Sequence, residues 1–137
     1  MKNTDVHPTV LLADDNERVL VRVRQLLSPT YNVVEMVGDG SQAVQAIARL
    51  DPDIAVLDIS MPGLDGIGVA RQLRQMQCHT RIIFLTIHDD EDYISAAIAS
   101  GADGYVLKLR MRTELIHAIE EARAGRSYVS SHAVSEK

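Results

Sequence analysis

Apolar residues are distributed along the chain in two alternating patterns. Five short apolar runs are bounded by turn residues, which is typical of strands buried on both faces of a sheet. Between these runs, apolar residues recur every three or four positions, as on one face of a helix. The predicted strands span residues 8–13, 31–37, 53–58, 81–86 and 104–108. The predicted helices span about residues 16–28, 41–51, 66–76, 91–101 and 113–124.

Short polar side chains mark several helix starts, because their oxygens can accept the free backbone N–H groups of a first turn. On this basis we predict that Asn16, Ser41 and Thr113 cap the first, second and fifth helices. Gly101 and Gly125 follow the last two helical patterns, where glycine commonly ends a helix.

The strict alternation of strand and helix predicts an α/β fold with a parallel sheet and helices on both faces. Right-handed crossovers and one topological switch point favour a flavodoxin-like, doubly wound sheet. We therefore expect five parallel strands in the order 2-1-3-4-5.

Composition supports a single folded domain. The chain has 137 residues, of which 46% are hydrophobic and 24% charged. Its net charge of -5 argues against nucleic acid or an anionic membrane surface as a direct partner. No apolar run approaches the roughly 20 residues that span a bilayer, and residues 1–7 do not resemble a secretory signal. Cys78 is the single cysteine, which fits a reducing compartment. We expect a cytoplasmic protein.

Polar residues with chemical potential follow four of the predicted strands. Asp14 and Asp15 follow the first strand, Asp58 ends the third, Thr86 ends the fourth and Lys108 ends the fifth. In the order 2-1-3-4-5 these four strands are neighbours. Because ligands of open parallel sheets bind at the carboxyl ends of the strands, we expect these five side chains to form one site.

The residue types at this edge suggest phosphoryl chemistry. Three adjacent carboxylates repel one another and need a cation or raised pKa values. Oxygen ligands suit a hard ion such as Mg²⁺, which leaves room for a phosphate. The sequence has neither a Walker loop nor a glycine-rich dinucleotide motif, so a tightly cradled nucleotide is not expected. Asp58, at the centre, is a candidate nucleophile that would form an aspartyl phosphate.

These motifs together resemble the response-regulator receiver domain of two-component signalling, over about residues 8–125. The matching segments are Asp14-Asp15, Asp58, the turn at residues 61–66, Leu85-Thr86, and Gly101 to Lys108. Residues 86–90 and 101–108 further resemble the subfamily that ends in a LuxR/NarL-type helix-turn-helix domain.

The resemblance implies that Asp58 accepts a phosphoryl group from a sensor histidine kinase. It further implies that Asp15, Asp58 and the backbone carbonyl of Ser60 hold Mg²⁺, while Asp14 acts mainly through a metal-bound water.

The same resemblance implies a conformational switch. The Thr86 hydroxyl and the Lys108 ammonium would bind the new phosphate, and Tyr105 would rotate inward into the space that Thr86 vacates. The face formed by helix four, strand five and helix five would then change shape. A homodimer promoted by phosphorylation is a further expectation.

Several positions depart from the common receiver pattern or border the phosphate. Leu109 follows Lys108 where many receivers have a cis proline; we expect a trans peptide, because a cis bond before leucine costs about 2.5–4 kcal/mol. Ile87 replaces the usual small residue and could narrow access to Asp58. Ser60 and His88 each lie two residues beyond a site residue, where we expect them to tune the lifetime of the aspartyl phosphate.

Residues 1–125 are assigned to the receiver, and residues 126–137 to a tail or the start of a linker to an output domain. We favour a regulator whose transcriptional output lies outside this chain, where DNA binding would reside. The alternative is a stand-alone receiver that acts by protein contact. A small phosphatase with Asp58 as nucleophile is a remote alternative, because Ser60 occupies the position where such enzymes need a second aspartate.

Overall fold

The computed structural model describes residues 7–130. Its strands are β1 (Thr9–Ala13), β2 (Asn32–Val37), β3 (Ile54–Leu57), β4 (Arg81–Thr86), β5 (Gly104–Leu107) and β6 (Tyr128–Val129). Its helices are α1 (Glu17–Leu27), α2 (Gly40–Leu50), α3 (Gly66–Gln75), α4 (Glu91–Ala99) and α5 (Met111–Arg123). A 3₁₀ turn, Lys108–Arg110, joins β5 to α5.

All neighbouring strands pair in parallel, in the order β2-β1-β3-β4-β5-β6. The parallel α/β fold is therefore confirmed, and so is the order of its first five strands. The expectation of only five strands was wrong, because β6 extends the sheet beside β5. This strand has two residues, too few to show an alternating pattern. It lies in the segment that the sequence analysis assigned to the tail, of which residues 131–137 lie outside the described part.

Two apolar layers cover the sheet. One face packs against α1 and α5, and the other packs against α2, α3 and α4. The four residues of β3 are all buried, because successive side chains of a central strand enter opposite layers. The continuous apolar runs of the sequence reflect this double burial. None of the helices within residues 7–130 combines the length and apolarity needed to cross a membrane.

The helix caps are only partly as predicted. Asn16 caps α1, and its side chain accepts the N–H groups of Arg18 and Val19. Ser41 is not a cap, because α2 begins at Gly40 and its cap is Asp39. Thr113 is not a cap either: α5 begins at Met111, directly after the 3₁₀ turn. The Thr113 hydroxyl instead donates to the carbonyl of Arg110 within the first turn.

One glycine holds a helix close to the end of β3. A Cβ on Gly66 would lie 2.2 Å from the backbone carbonyl oxygen of Asp58. The Gly66 N–H also donates to the carbonyl of Ile59 at 2.8 Å. The start of α3 therefore supports the loop that carries Asp58, and no larger residue fits there without a shift of the backbone.

Candidate functional site

The carboxyl edge of the sheet brings Asp14 and Asp58 together. The Asp58 N–H donates to the carbonyl of Ala13 at 2.9 Å, and the Asp14 N–H donates to that of Val37 at 3.1 Å. These bonds continue the pairing of the strands by one residue, so both aspartates begin from a fixed backbone. The two residues are only 3% and 6% exposed.

Asp14, Asp15 and Asp58 each direct one carboxylate oxygen into a group whose members lie within 4.8 Å of one another. Asp14 and Asp58 are buried, whereas Asp15 is exposed. Three oxygen ligands of this charge fit a hard divalent cation that keeps some of its waters. The donor set is therefore compatible with Mg²⁺.

Lys108 is the cation paired with the two buried aspartates. Its Nζ lies 2.9 Å from Asp14 Oδ2 and 3.2 Å from Asp58 Oδ2. Burial disfavours the charged form of Lys108, but hydrogen bonding to Asp14 and attraction to Asp58 outweigh burial and raise its pKa. The lysine therefore stays charged at neutral pH.

Asp58 has a raised pKa. Burial is the largest cause, attraction to Lys108 acts in the opposite direction, and repulsion from Asp14 raises the pKa further. A single lysine does not compensate the acidic cluster, so ionised Asp58 gains from any additional cation.

Thr86 lies at the end of β4 and is fully buried. Its Oγ1 accepts the backbone N–H of His88 at 3.2 Å. This contact connects the hydroxyl to the loop between β4 and α4, so a movement of Thr86 would displace that loop directly.

Tyr105 is 1% exposed and is among the largest fully buried side chains. Its hydroxyl donates to the backbone carbonyl of His88 at 2.7 Å. Burial raises the pKa of Tyr105, and Asp90 and Asp89 raise it further, so the hydroxyl remains a neutral donor. The ring is thus already inside in this structure, in the position that the sequence analysis associated with the switched state.

Ser60 and His88 meet across the mouth of the site. A hydrogen bond of 2.8 Å joins Ser60 Oγ to His88 Nε2. The His88 ring also stacks on Tyr93, with centroids 3.9 Å apart and an interplanar angle of 13°. The loop after β3 is therefore linked to the loop after β4 through two side chains.

The two unusual apolar residues near the site face solvent. Ile87 is 72% exposed and Leu109 is 93% exposed. Most of the Ile87 side chain is thus directed away from the protein. The Lys108–Leu109 peptide is trans, as expected, because residues 7–130 contain no cis peptide.

Sequence reasoning missed a second polar cluster beside the site. Ser130 is completely buried and hydrogen-bonds both the backbone N–H of Leu107 and the carboxylate of Glu114. The available signal was Glu114 itself, an acidic residue one position from Leu115 on the apolar face of α5. Ser130 offered no comparable signal.

One edge of this α/β domain thus combines buried aspartates, a paired lysine and a strand-end hydroxyl. The model of the response regulator receiver domain matches residues 10–120. The chain belongs to this family, whose members are phosphorylation-controlled signalling switches and not classical enzymes.

Individual relatives agree with this assignment. The nitrate/nitrite response regulator protein NarL of Escherichia coli K12 is 35% identical over 124 residues, which are 89% of this chain and 57% of NarL. A two-component response regulator of the LuxR family from Aurantimonas sp. SI85-9A1 has a TM-score of 0.88 and 34% identity, with 93% of each chain covered. The isolated REC domain of RcsB from Salmonella enterica serovar Typhimurium, solved with the phosphomimetic BeF₃⁻, has a TM-score of 0.85 and 27% identity; 93% of this chain and 96% of that one are covered.

The chain spans 57% of the length of NarL. The match is therefore to the receiver part of a longer regulator.

Proposed function

We propose that Asp58 is the phosphoacceptor of this receiver and takes its phosphoryl group from the phosphohistidine of a sensor kinase. The observation that carries this proposal is that buried Asp58 contacts Lys108 and lies within 4.8 Å of two further carboxylates. Asp58 is buried within the cluster, and its Oδ2 already contacts the lysine that would pair with the incoming group.

The transfer needs little covalent chemistry from the protein. An Asp58 carboxylate oxygen attacks phosphorus, the P–N bond to the histidine breaks, and its electron pair returns to the imidazole. Lys108 Nζ pairs with the phosphoryl oxygens as charge develops on them, because positioning and charge neutralisation dominate phosphoryl transfer.

Mg²⁺ is the proposed cofactor. Asp15, Asp58 and the backbone carbonyl of Ser60 would hold it, with Asp14 acting mainly through a water ligand. When bound, the ion would neutralise the charge that gathers on the phosphoryl oxygens. The close approach of the three carboxylates and the raised pKa of Asp58 support this assignment.

Phosphorylation would act on the face formed by α4, β5 and α5. The new phosphate would attract the Thr86 hydroxyl, which now accepts a bond from the His88 backbone. The backbone carbonyl of His88 also accepts a hydrogen bond from the Tyr105 hydroxyl. The loop between β4 and α4 and the Tyr105 ring would therefore move together. Couplings of this kind are typically about 1–3 kcal/mol, so the phosphate would shift a population between two states.

The output of this switch is proposed to be transcriptional. NarL and the LuxR-family neighbour support a regulator in which residues 1–125 form the receiver and residues 126–137 begin the connection to a DNA-binding domain. We further propose that phosphorylation promotes a homodimer, which sedimentation of the phosphorylated and unphosphorylated chain would test. The alternative is a stand-alone receiver that acts by protein contact. A DNA-binding assay on the product of the full-length gene would distinguish the two.

Intact-mass measurement with acetyl phosphate and Mg²⁺ tests the phosphoacceptor directly. We expect a gain of one phosphoryl group in the wild-type chain and none in Asp58→Asn or under a metal chelator. Asp51→Asn is a matched control: Asp51 is an exposed aspartate at the opposite edge of the sheet, with a φ of 50° that asparagine also tolerates. Equal phosphorylation of Asp58→Asn and the wild type would refute the proposal.

A further inference from the structure

A closed ring of contacts surrounds the start of α5. Ser130 Oγ accepts the Leu107 N–H at 3.1 Å and donates to Glu114 Oε1. The other Glu114 oxygen accepts from Arg110 Nη1 at 3.1 Å. Leu107 and Arg110 are joined through the chain by Lys108 and Leu109, so the ring includes the lysine of the site.

The ring is also connected to β6. Ser130 follows that strand, and its N–H donates to the Tyr105 carbonyl at 2.8 Å. Tyr105 itself pairs with Val129 in the sheet. The segment at residues 128–130 is therefore held by Gly104, Tyr105 and Leu107 of β5, the last of which directly precedes Lys108.

The ring favours two discrete states over a gradual one. Ser130 is fully buried and Glu114 is 7% exposed. If one bond of the ring opens, a buried polar group loses its partner, which costs more than an ordinary hydrogen bond contributes. A shift of Lys108 displaces the chain that carries both Leu107 and Arg110, and so acts on two contacts of the ring at once.

We propose that the Ser130–Glu114 ring couples the phosphoacceptor site to the chain that follows β6. This inference rests on the proposed function and adds a route by which its state is transmitted. Phosphorylated Asp58 presents new anionic oxygens to Lys108. As Lys108 follows them, Leu107 and Arg110 move, Ser130 loses its partners and residues 128–130 detach from β5.

Amide hydrogen exchange, measured by NMR, tests this coupling at single residues. The Leu107 and Ser130 amides report the two bonds that would break. In the wild-type chain with Mg²⁺ and acetyl phosphate, we expect both amides to exchange faster by on the order of tenfold, which lies within the usual range of such couplings. Lys108→Ala should accelerate the same amides without any phosphodonor, because the ring then loses its link to the site.

Two serines of one segment provide a matched pair of variants. Ser130→Ala should accelerate Leu107 exchange in the unphosphorylated chain and abolish its further response to phosphorylation. Ser127→Ala, at an exposed position three residues earlier, should leave the response intact. A purely structural role for Ser130 predicts that Leu107 exchange does not respond to phosphorylation. It also predicts that Lys108→Ala accelerates Leu107 exchange only as much as it accelerates the amides of the rest of the sheet.

The outcomes separate the two proposals. A mass gain of one phosphoryl group with unchanged Leu107 and Ser130 exchange overturns the coupling and leaves the phosphoacceptor proposal standing. Absence of the mass gain overturns the phosphoacceptor proposal, and the Lys108→Ala measurement then decides the coupling. If the Leu107 and Ser130 amides of Lys108→Ala exchange no faster than those of the wild type, the coupling proposal is overturned.

Discussion

Replacement of Asp58 by asparagine should stabilise the chain when no divalent cation is present. Asparagine keeps nearly the same shape and an oxygen that can accept from Lys108, but it removes one buried charge. The expected direction follows from the raised pKa of Asp58, whose largest cause is burial.

The opposing electrostatic contributions can be compared directly. The Lys108–Asp58 separation of 3.2 Å corresponds to an attraction of about 5 kcal/mol at an effective dielectric constant of about 20. The Asp14–Asp58 approach to within 4.8 Å corresponds to a repulsion of at least about 3.5 kcal/mol on the same scale. The repulsion offsets most of the attraction and leaves about 1.5 kcal/mol in favour of the charged pair. Because the pKa of Asp58 is raised and burial is its largest cause, desolvation exceeds this remainder, and we expect Asp58→Asn to raise the free energy of unfolding by about 1 kcal/mol.

Urea denaturation of the wild type and Asp58→Asn, in chelator and in Mg²⁺, measures this effect. Mg²⁺ at ten times its dissociation constant should add about 1.4 kcal/mol to the wild type and much less to the variant. The advantage of the variant in chelator should be present above the raised folded-state pKa of Asp58. It should be lost as pH falls toward the unfolded-state value near 3.8, because folded Asp58 then becomes protonated. A variant that is less stable than the wild type in chelator at neutral pH would refute the reasoning and show that the Lys108 pair dominates.

Three further predictions concern the surroundings of Asp58. Gly66→Ala should lower the free energy of unfolding by about 1–3 kcal/mol, because its Cβ would overlap the Asp58 carbonyl. The control Gly38→Ala, which has no atom near the added Cβ, should change the free energy of unfolding by less than about 0.5 kcal/mol. Equal losses of stability for the two variants in urea denaturation would contradict this prediction. His88→Ala and Ser60→Ala should each speed hydrolysis of the aspartyl phosphate by about two- to tenfold, the equivalent of one net hydrogen bond. If the two effects on the hydrolysis rate multiply in the double variant, the Ser60–His88 hydrogen bond is not their common cause. Lys108→Ala should destabilise the chain in chelator by about 3 kcal/mol, because Asp14 and Asp58 lose their shared partner. Mg²⁺ should restore part of the loss, and an unchanged unfolding midpoint would contradict the prediction.

The sequence was most informative where burial imposes a pattern. The apolar run ending at Asp58 predicted β3 because a doubly buried strand must be apolar on both faces. The strand ends predicted the site because parallel strands share one carboxyl edge, and Asp14, Asp58 and Lys108 do meet there.

The helix caps, β6 and the role of Ser130 could not be predicted, and the reasons are physical. Cap choice at Asp39 and Ser41 depends on which side chain reaches the free N–H groups, and both residue types are good caps. β6 could not be predicted because a two-residue strand has no period. Ser130 was missed for a related reason. Its partners, Leu107 and Glu114, are distant in sequence, and the residues next to Ser130 give no sign of these contacts.

The separation between the acceptor and its bordering loops has a consequence for evolution and engineering. Asp58 is attached to the fully buried β3 and to the backbone of Ala13, whereas Ile87 and Ser60 lie in exposed loops. If these loops set the lifetime of the proposed aspartyl phosphate, substitutions in them would change that lifetime with little loss of folding stability. One buried core that positions Asp58 would then be compatible with signals of different duration, set by surface residues alone.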